Sequence, residues 1–241
     1  DDHGECALSL LPRDDELVLV LPPRALSWHR IALPRVNAAR LRAALDGLLE
    51  DRVLGDVEAL HHALAPGGRP GETVWVASCD KPRLRAWVHL LEKSGRSVSR
   101  IAPSLWPLLE SPVPVAPPGV SRSFGFDEPT NLHWVHADGD QVWLCSASVL
   151  GVSCVPLPEG ASTPPPLTAL LPAGNDTAAP VGSFDTWAAD PALAAMAEGL
   201  FNRPFEPVTP AMWLLRSAQT DWNLAQFDLS LSSGARRTQR L

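Results

Sequence analysis

The sequence predicts an α+β protein, and three observations support this fold class. Between residues 27 and 102, strand and helix patterns follow one another in the order β-α-β-β-α-β. That order is the ferredoxin-like split βαβ pattern, in which a sheet carries two helices on one face. From residue 120 onward the patterns are mostly those of strands, and 45% of all residues are hydrophobic, which is enough to build a buried core.

The first elements are defined by short apolar runs and by proline. Residues 17–21 (LVLVL) form an apolar run that two prolines end, so they predict a buried strand in addition to the β-α-β-β-α-β series. Residues 27–33 (SWHRIAL) predict a second strand. Asn37 stands where a helix N-cap belongs, and apolar residues recur at helical spacing after it, which predicts a helix over 37–52.

The next segments complete the series. Residues 59–65 and 73–78 predict two strands joined by a turn of glycine and proline. Asp80 can cap a second helix that has Pro82 in its first turn, and Gly95 is suited to ending that helix. The buried stripe of this helix is predicted to be Leu84, Trp87, Val88 and Leu91. Residues 98–101 predict the closing strand.

The second half of the chain predicts a β-rich lobe. Residues 111–118 (SPVPVAPP) predict a linker, because proline has no backbone N–H for a sheet. The predicted strands are 122–126, 132–137, 142–147 and 152–157, with an Asp138-Gly139 hairpin turn between the second and the third. Residues 158–175 predict a surface loop, and 192–200 and 210–217 predict helices. The predicted division is an N-terminal lobe (1–104), a Pro-rich linker (105–119), a C-terminal lobe (120–231) and a basic tail (232–241).

Charge and composition exclude several classes of protein. The formal net charge is −7, whereas binding to nucleic acid needs clustered Lys and Arg, so no nucleic-acid partner is expected. No apolar run approaches the roughly 20 residues that span a bilayer, and no signal peptide is visible. The four cysteines form no C-x-x-C pair, which predicts buried, reduced thiols.

The histidines and glycines give no catalytic, cofactor or metal site. His61 and His62 are adjacent on a predicted strand, so they face opposite sides and cannot chelate one metal ion. One is expected to point inward and the other outward. His133 and His136 also face opposite sides of a strand. The sequence has no G-x-x-x-x-G-K-[ST], G-x-G-x-x-G or G-x-S-x-G motif, so we expect no cofactor and no enzymatic activity.

Three segments resemble the L proteins of bacterial type II secretion systems. Residues 17–34 resemble a run near the start of that family, and residues 49–61 (LEDRVLGDVEALH) resemble a family signature without a gap. Residues 221–227 (DWNLAQF) resemble a second motif, of the form Asn-Leu-Leu-Gln-Gly, but lack its glycine. The residues that carry the resemblance in a structural role are Leu49, Glu50, Asp56, Leu60, His61, Asn223, Leu224 and Gln226.

The resemblance implies an actin-like fold built from RNase-H-like subdomains. Actin-type ATPases hold phosphate with D-x-G turns, and the nearest equivalent here is Asp127, which Pro129 follows without any glycine. A fold without a functional nucleotide site is therefore expected. The related actin-like pilus-assembly M-type adaptor, an actin-like ATP-binding protein and a soluble hydrolase are the alternatives.

The resemblance also implies a function and partners. The chain is expected to lie on the cytoplasmic side of the bacterial inner membrane and to bind the N-terminal domain of the secretion ATPase, the E protein. It would couple that ATPase to the M protein and the pseudopilus, with a second copy of the chain as a further partner. Arg236, Arg237 and Arg240 are either an ordinary solvated tail or the basic flank of a membrane helix beyond Leu241.

Overall fold

The structure, a computed structural model, describes residues 4, 6–11, 16–108, 131–161, 163–165 and 185–229. It divides into two compact units. Unit 1 comprises Asp1–Ser104 and Trp213–Leu241, and unit 2 comprises Leu105–Met212. Residues 213–229, which the sequence analysis placed in the C-terminal lobe, thus pack with the N-terminal residues. In the described ranges, no helix has both the length and the apolar character needed to cross a membrane.

Unit 1 contains the elements in the predicted order. They are β1 (Val18–Leu21), β2 (Ser27–Ala32), α1 (Ala38–Leu49), β3 (Leu60–Leu64), β4 (Thr73–Asp80), α2 (Lys81–Lys93) and β5 (Arg100–Pro103). Short 3-10 turns occur at Leu8–Leu10, Pro23–Ala25, Glu50–Arg52 and Val57–Ala59. The β-α-β-β-α-β order from β2 to β5 is therefore confirmed.

The prediction that the closing strand joins the ferredoxin-like sheet is wrong. Strands β2, β4 and β3 form a three-stranded antiparallel sheet in that order, but β5 pairs in parallel with β1. The other edge of β5 bonds to the C-terminal part of the chain: the Leu224 N–H donates to the Ile101 carbonyl over 2.7 Å. Both edges of β5 are thus occupied, and the run at 17–21 supplies the pairing partner.

The helix ends follow the predicted capping. The Asn37 side chain accepts a hydrogen bond from the Arg40 N–H (3.0 Å), and the Asp80 side chain accepts one from the Arg83 N–H (2.6 Å). These bonds satisfy N–H groups that have no partner inside the helix. Gly95, directly after the end of α2, has a φ of +77°, a conformation that favours glycine.

One core of unit 1 lies between α1 and the three-stranded sheet. Leu45 and Leu49 of α1 are fully buried, since the periodic apolar face of this helix packs against the sheet. Ile31, Val74 and Val76 contribute the sheet side of this core. Val76 lies on the central strand β4, and this explains its complete burial.

Unit 2 contains a five-stranded sheet. Its strands are β6 (Asn131–Asp138), β7 (Gln141–Ser148), β8 (Gly151–Leu157), β9 (Asp185–Ala189) and β10 (Glu206–Pro207), in the spatial order β10-β9-β6-β7-β8. The first three form the predicted antiparallel meander, with Gly139 at a φ of +62° in the hairpin turn. Strands β9 and β10, which add in parallel, were not predicted. The helices are α3 (Ala194–Phe201) and α4 (Pro210–Ala218), of which α4 runs into unit 1.

Several predictions lie outside the described residues. These are the linker at 111–118, the strand at 122–126, the Asp127–Pro129 stretch and the arginines of the tail, Arg236, Arg237 and Arg240. The loop predicted at 158–175 is described only at 158–161 and 163–165.

Candidate functional site

Two of the three segments that resemble the family, residues 49–61 and 221–227, meet in unit 1. The C-terminal segment, which we define as residues 222–229, crosses β3 and β5. The His61 Nε2 atom lies 2.6 Å from the Leu224 carbonyl oxygen, and both residues are almost completely buried. Since a carbonyl oxygen can only accept, the Nε2–H donates. Residues 163 positions apart in sequence are thereby joined by a short, buried hydrogen bond.

The side-chain amide of Gln226 occupies the outer edge of β3. Its Oε1 accepts from the Leu64 N–H, and its Nε2 donates to the Leu64 carbonyl, both over 3.0 Å. The amide thus pairs with Leu64 as a neighbouring strand would. The same edge is bonded at its start, where the Arg42 guanidinium donates to the Leu60 carbonyl over 2.7 Å. Side chains therefore satisfy backbone groups that an exposed edge would offer to other chains.

Asn223 shapes the turn that lets the segment reach both strands. Its Oδ1 accepts from the Ala225 N–H at 3.0 Å and from the Ile101 N–H at 3.4 Å. Asparagine commonly organises turns through such side-chain bonds to nearby backbone. Trp222, just before it, is buried and meets Trp28 of β2 edge to face, with ring centroids 5.0 Å apart.

Phe227 has a backbone conformation that favours glycine. Its φ is +55°, in the left-handed region that costs a residue with a Cβ atom about 1–2 kcal/mol. A glycine at this place would avoid that cost. In this chain the Phe227 side chain instead packs against the core between α1 and the sheet. Apolar contact offsets the backbone strain.

A cluster of charges surrounds Asp228 at the end of the segment. Its carboxylate accepts from Lys81 Nζ at 2.6 Å and from Arg85 Nη2 at 3.0 Å, while Arg42 Nη1 and His61 Nδ1 lie 3.9 and 3.8 Å away. The hydrogen bond from Lys81 lowers the pKa of Asp228, against the opposing effect of its partial burial. The segment is therefore held to α1 and α2 by one ionised carboxylate.

The expectation that one of the two adjacent histidines faces outward is wrong. His61 and His62 do face opposite sides of β3, but both are buried, because β3 is covered on both faces. The His62 Nδ1 atom lies 2.7 Å from the Ser78 hydroxyl, and burial lowers the pKa of His62 to about 4. Burial also lowers the pKa of His61. Both rings are neutral at pH 7.

The signature at residues 49–61 divides into buried and exposed positions. Leu49 lies in the core, Leu60 begins β3, and His61 holds the C-terminal segment. Glu50 and Asp56 do not reach this junction: both are exposed, and Asp56 caps a short turn by accepting from the Glu58 N–H. The other residues of this junction were not predicted from the sequence, since only long-range packing brings them together. They are Arg42, Leu64, Lys81, Arg85 and Asp228.

His133 of unit 2 makes structural contacts. His133 and His136 lie on opposite faces of β6, as predicted. His133 is buried, its Nδ1 lies 2.8 Å from the Ser146 hydroxyl, and its ring stacks on Trp187 with centroids 3.9 Å apart. Burial lowers the pKa of His133 to about 4. In the part of the chain that the structure describes, no three His, Cys, Asp or Glu side chains form a group that could hold a metal ion.

The geometry defines an α+β protein whose N-terminal unit is completed by a distant C-terminal segment, through hydrogen bonds and an ion-pair cluster. Residues 3–109 match the family model of the type II secretion system (T2SS) protein L. The resemblance found in the sequence is thus confirmed for this part of the chain.

Individual proteins are similar to parts of this chain. The chain is 31% identical over 90 residues to the type II secretion system protein L of Dickeya chrysanthemi, and 32% identical over 111 residues to that of Klebsiella pneumoniae. These matches cover 37% and 46% of this chain but 22% and 27% of the relatives, so the chain aligns with about a quarter of their length. A likeness with 20% identity and a TM-score of 0.48 links 88% of the chain to 78% of the cytoplasmic domain of EpsL, an inner membrane component of the type II secretion system of Vibrio cholerae.

Proposed function

We propose that this chain is a cytoplasmic part of an inner-membrane platform protein of a type II secretion system. It binds the N-terminal domain of the secretion ATPase, the E protein, and couples the ATPase to the M protein and the pseudopilus. A second copy of the chain is a further partner. The main support for this proposal is the match of residues 3–109 to the family model of the T2SS protein L. No chemistry on this chain is part of the proposed function.

Strand order supports the finer fold assignment within this proposal. In unit 2 an antiparallel meander, β8-β7-β6, is extended by two parallel strands, β9 and β10. This is the arrangement expected of an RNase-H-like lobe, as in actin-like proteins. The assignment is consistent with a scaffold whose fold is shared with ATPases but whose role is to bind another protein.

The junction in unit 1 supports the coupling part of the proposal. A platform that transmits movement needs its partner-binding unit to be fixed to the segment that leads toward the membrane anchor. The C-terminal segment is bonded to β5 through Leu224, to β3 through Gln226 and to α2 through Asp228. Displacement of this segment has to break those bonds or move unit 1 with it. In the proposal, a membrane helix follows the basic tail.

The exposed part of the signature is the proposed ATPase contact. Leu54 lies between α1 and β3 and its side chain is completely exposed, at 101%. A leucine in water contributes nothing to folding, whereas apolar side chains at the centre of an interface contribute strongly to binding. Glu50 and Asp56 flank it and are exposed as well. The proposed contact is therefore an exposed leucine in a stretch of chain that also exposes acidic side chains.

Capture of the purified chain by the immobilised N-terminal domain of the cognate secretion ATPase tests the proposal. We expect retention at micromolar concentration, and weaker retention of Leu54→Ser. Leu90→Ser is the matched control, because Leu90 is also exposed but lies on α2, away from the signature. Absence of a complex with the unchanged chain would overturn the proposed function. Equal retention of both variants would remove Leu54 from the contact.

A second experiment separates coupling from binding. Gln226→Ala disrupts the attachment of the C-terminal segment and leaves Leu54 untouched. Placed in the native secretion system, this variant should still capture the ATPase domain but should secrete less protein. Normal secretion by a variant with a demonstrably loosened segment would contradict the coupling role.

A further inference from the structure

Two cysteines face each other across the sheet of unit 2. Cys145 of β7 pairs directly with Cys154 of β8 in the antiparallel register. Their Sγ atoms are 2.8 Å apart, and neither residue is part of a disulfide. The Cβ atoms of directly opposed residues in antiparallel strands lie at least about 4.5 Å apart, which is the upper end of the separation found across disulfides, so a small approach of the two strands is needed. The backbone thus holds the two sulfur atoms close to bonding reach.

A histidine on the neighbouring strand lies against one of these thiols. The Nε2 atom of His136, on β6, is 3.5 Å from Cys145 Sγ. Its Nδ1 atom is 3.3 Å from the Ala137 carbonyl oxygen, which can only accept, so Nδ1 carries the hydrogen in the neutral ring. The lone pair of Nε2 then faces the Cys145 thiol and can take its proton. Trp134 stacks on the His136 ring, with centroids 4.0 Å apart, and holds its orientation.

The two thiols differ in their access to solvent. Cys145 is completely buried, whereas Cys154 is partly exposed on β8, which has β7 as its one neighbour in the sheet order. A small oxidant therefore reaches Cys154 first. Reversible thiol oxidation proceeds through a sulfenic acid that a nearby second thiol converts to a disulfide. The pair thus offers an accessible thiol, a buried thiol and a base beside the buried one.

We propose that Cys154, Cys145 and His136 form a redox-modification site that closes a cross-strand disulfide in response to hydroperoxides. The Cys154 sulfur attacks the peroxide O–O bond, so that Cys154 becomes a sulfenic acid and one water or alcohol leaves. Cys145 then passes its proton to His136 Nε2, and its sulfur attacks the Cys154 sulfur. The S–O bond breaks, hydroxide leaves and takes the proton from His136 as water. Two thiols are oxidised, and one peroxide is reduced.

Cys79 is an internal control, because its thiol is expected to react slowly with peroxide. It is buried in β4 of unit 1, and burial, together with the nearby Asp80 carboxylate, raises the pKa of Cys79 to about 12. A thiol that stays protonated reacts slowly, because the thiolate is the reactive form. Cys6 is exposed and would react by itself, so the test uses a Cys6→Ser chain.

In the test, the whole Cys6→Ser chain is treated with hydrogen peroxide, the oxidant is removed and the remaining thiols are alkylated. We expect a mass decrease of about 2 Da, the loss of two alkylatable thiols and full recovery of both on reduction. Trypsin leaves both cysteines on one peptide, since no Lys or Arg occurs between Arg122 and Arg203. Chymotrypsin can cut after Leu150 and should release two peptides joined through Cys145 and Cys154.

Two variants test the order of events and the base. Cys145→Ser should give no cross-link and should accumulate a Cys154 sulfenic acid that dimedone traps. His136→Gln, if it retains the unfolding midpoint of the parent chain, should raise the ratio of trapped sulfenic acid to disulfide about tenfold or more, because removing a general base costs at least that much. Persistence of both thiols at peroxide levels that oxidise free cysteine would overturn the site. The site would also be overturned if dimedone did not label Cys154 in Cys145→Ser. An unchanged ratio of sulfenic acid to disulfide in a folded His136→Gln chain would have the same consequence.

Discussion

Because Phe227 has a positive φ, we expect glycine at this position to give a more stable protein than alanine, which is the reverse of the usual order. In most positions alanine is more stable than glycine, because glycine loses more backbone entropy on folding. At a φ of +55° an L-residue is strained by about 1–2 kcal/mol, whereas glycine is not. After subtracting roughly 0.5–1 kcal/mol for the entropy of glycine, we expect Phe227→Gly to hold the C-terminal segment about 0.5–1 kcal/mol more tightly than Phe227→Ala.

Both variants should be less stable than the unchanged chain. Phe227 is partly buried against the core of unit 1, and removal of its ring should cost about 2 kcal/mol. The loss should appear as local opening of the C-terminal segment. Native-state hydrogen exchange at the Leu224 amide, which donates to the Ile101 carbonyl, measures this opening directly. Exchange should accelerate about 30-fold in Phe227→Ala, which keeps the strained backbone, and by about twofold to fivefold less in Phe227→Gly.

A glycine in a helix gives the matched control. Gly47 lies within α1, and an added Cβ there meets nothing within 4 Å. Gly47→Ala should therefore stabilise the chain by up to about 1 kcal/mol, in the ordinary direction. If the C-terminal segment were held as tightly in Phe227→Ala as in Phe227→Gly, or more tightly, the left-handed conformation of residue 227 would not be a source of strain.

The remaining predictions concern the junction and the buried histidines. Gln226→Ala removes both bonds to Leu64 and should accelerate exchange of the Leu64 amide roughly 30-fold, for a loss of about 2 kcal/mol; an unchanged rate would mean that other contacts hold this edge. Asp228→Asn should cost at most about 1 kcal/mol, because its side chain is 38% exposed, and the loss in urea unfolding should shrink at about 1 M salt. The pKa of buried His133 is lowered to about 4, so the unfolded chain binds a proton first as the pH falls. Stability is therefore full above pH 6.5 and declines down to about pH 4, by up to about 3 kcal/mol. His133→Gln should reduce this decline, and an identical pH profile would show that His133 does not cause it.

Much of the local structure follows from the sequence because its causes are local. Asn37 and Asp80 cap their helices by accepting N–H groups three residues ahead, and Gly95 takes a left-handed conformation where α2 ends. Strands such as residues 17–21 were identified from short apolar runs that proline ends. Strands β9 and β10 were missed, since a five-residue and a two-residue strand carry too few residues for periodicity to be visible.

The pairing of β5 and the burial of both adjacent histidines could not be predicted. The alternation of a strand specifies which side chains share a face, but not what covers each face. His61 is buried because the Leu224 carbonyl meets it, and His62 is buried with Ser78 on the other face. The outward position assigned to one of them assumed a solvent-exposed face that the C-terminal segment covers.

The order of elements, the helix caps and the family resemblance follow from the sequence, because each depends on residues that are neighbours along the chain. That the segment around Leu224 completes the N-terminal unit, and that Cys145 and Cys154 face each other beside His136, is visible only in the folded chain. Hydrogen bonds and burial act over a few ångströms in space and do not depend on separation in sequence. Contacts between residues far apart in the chain therefore become visible only in the folded molecule.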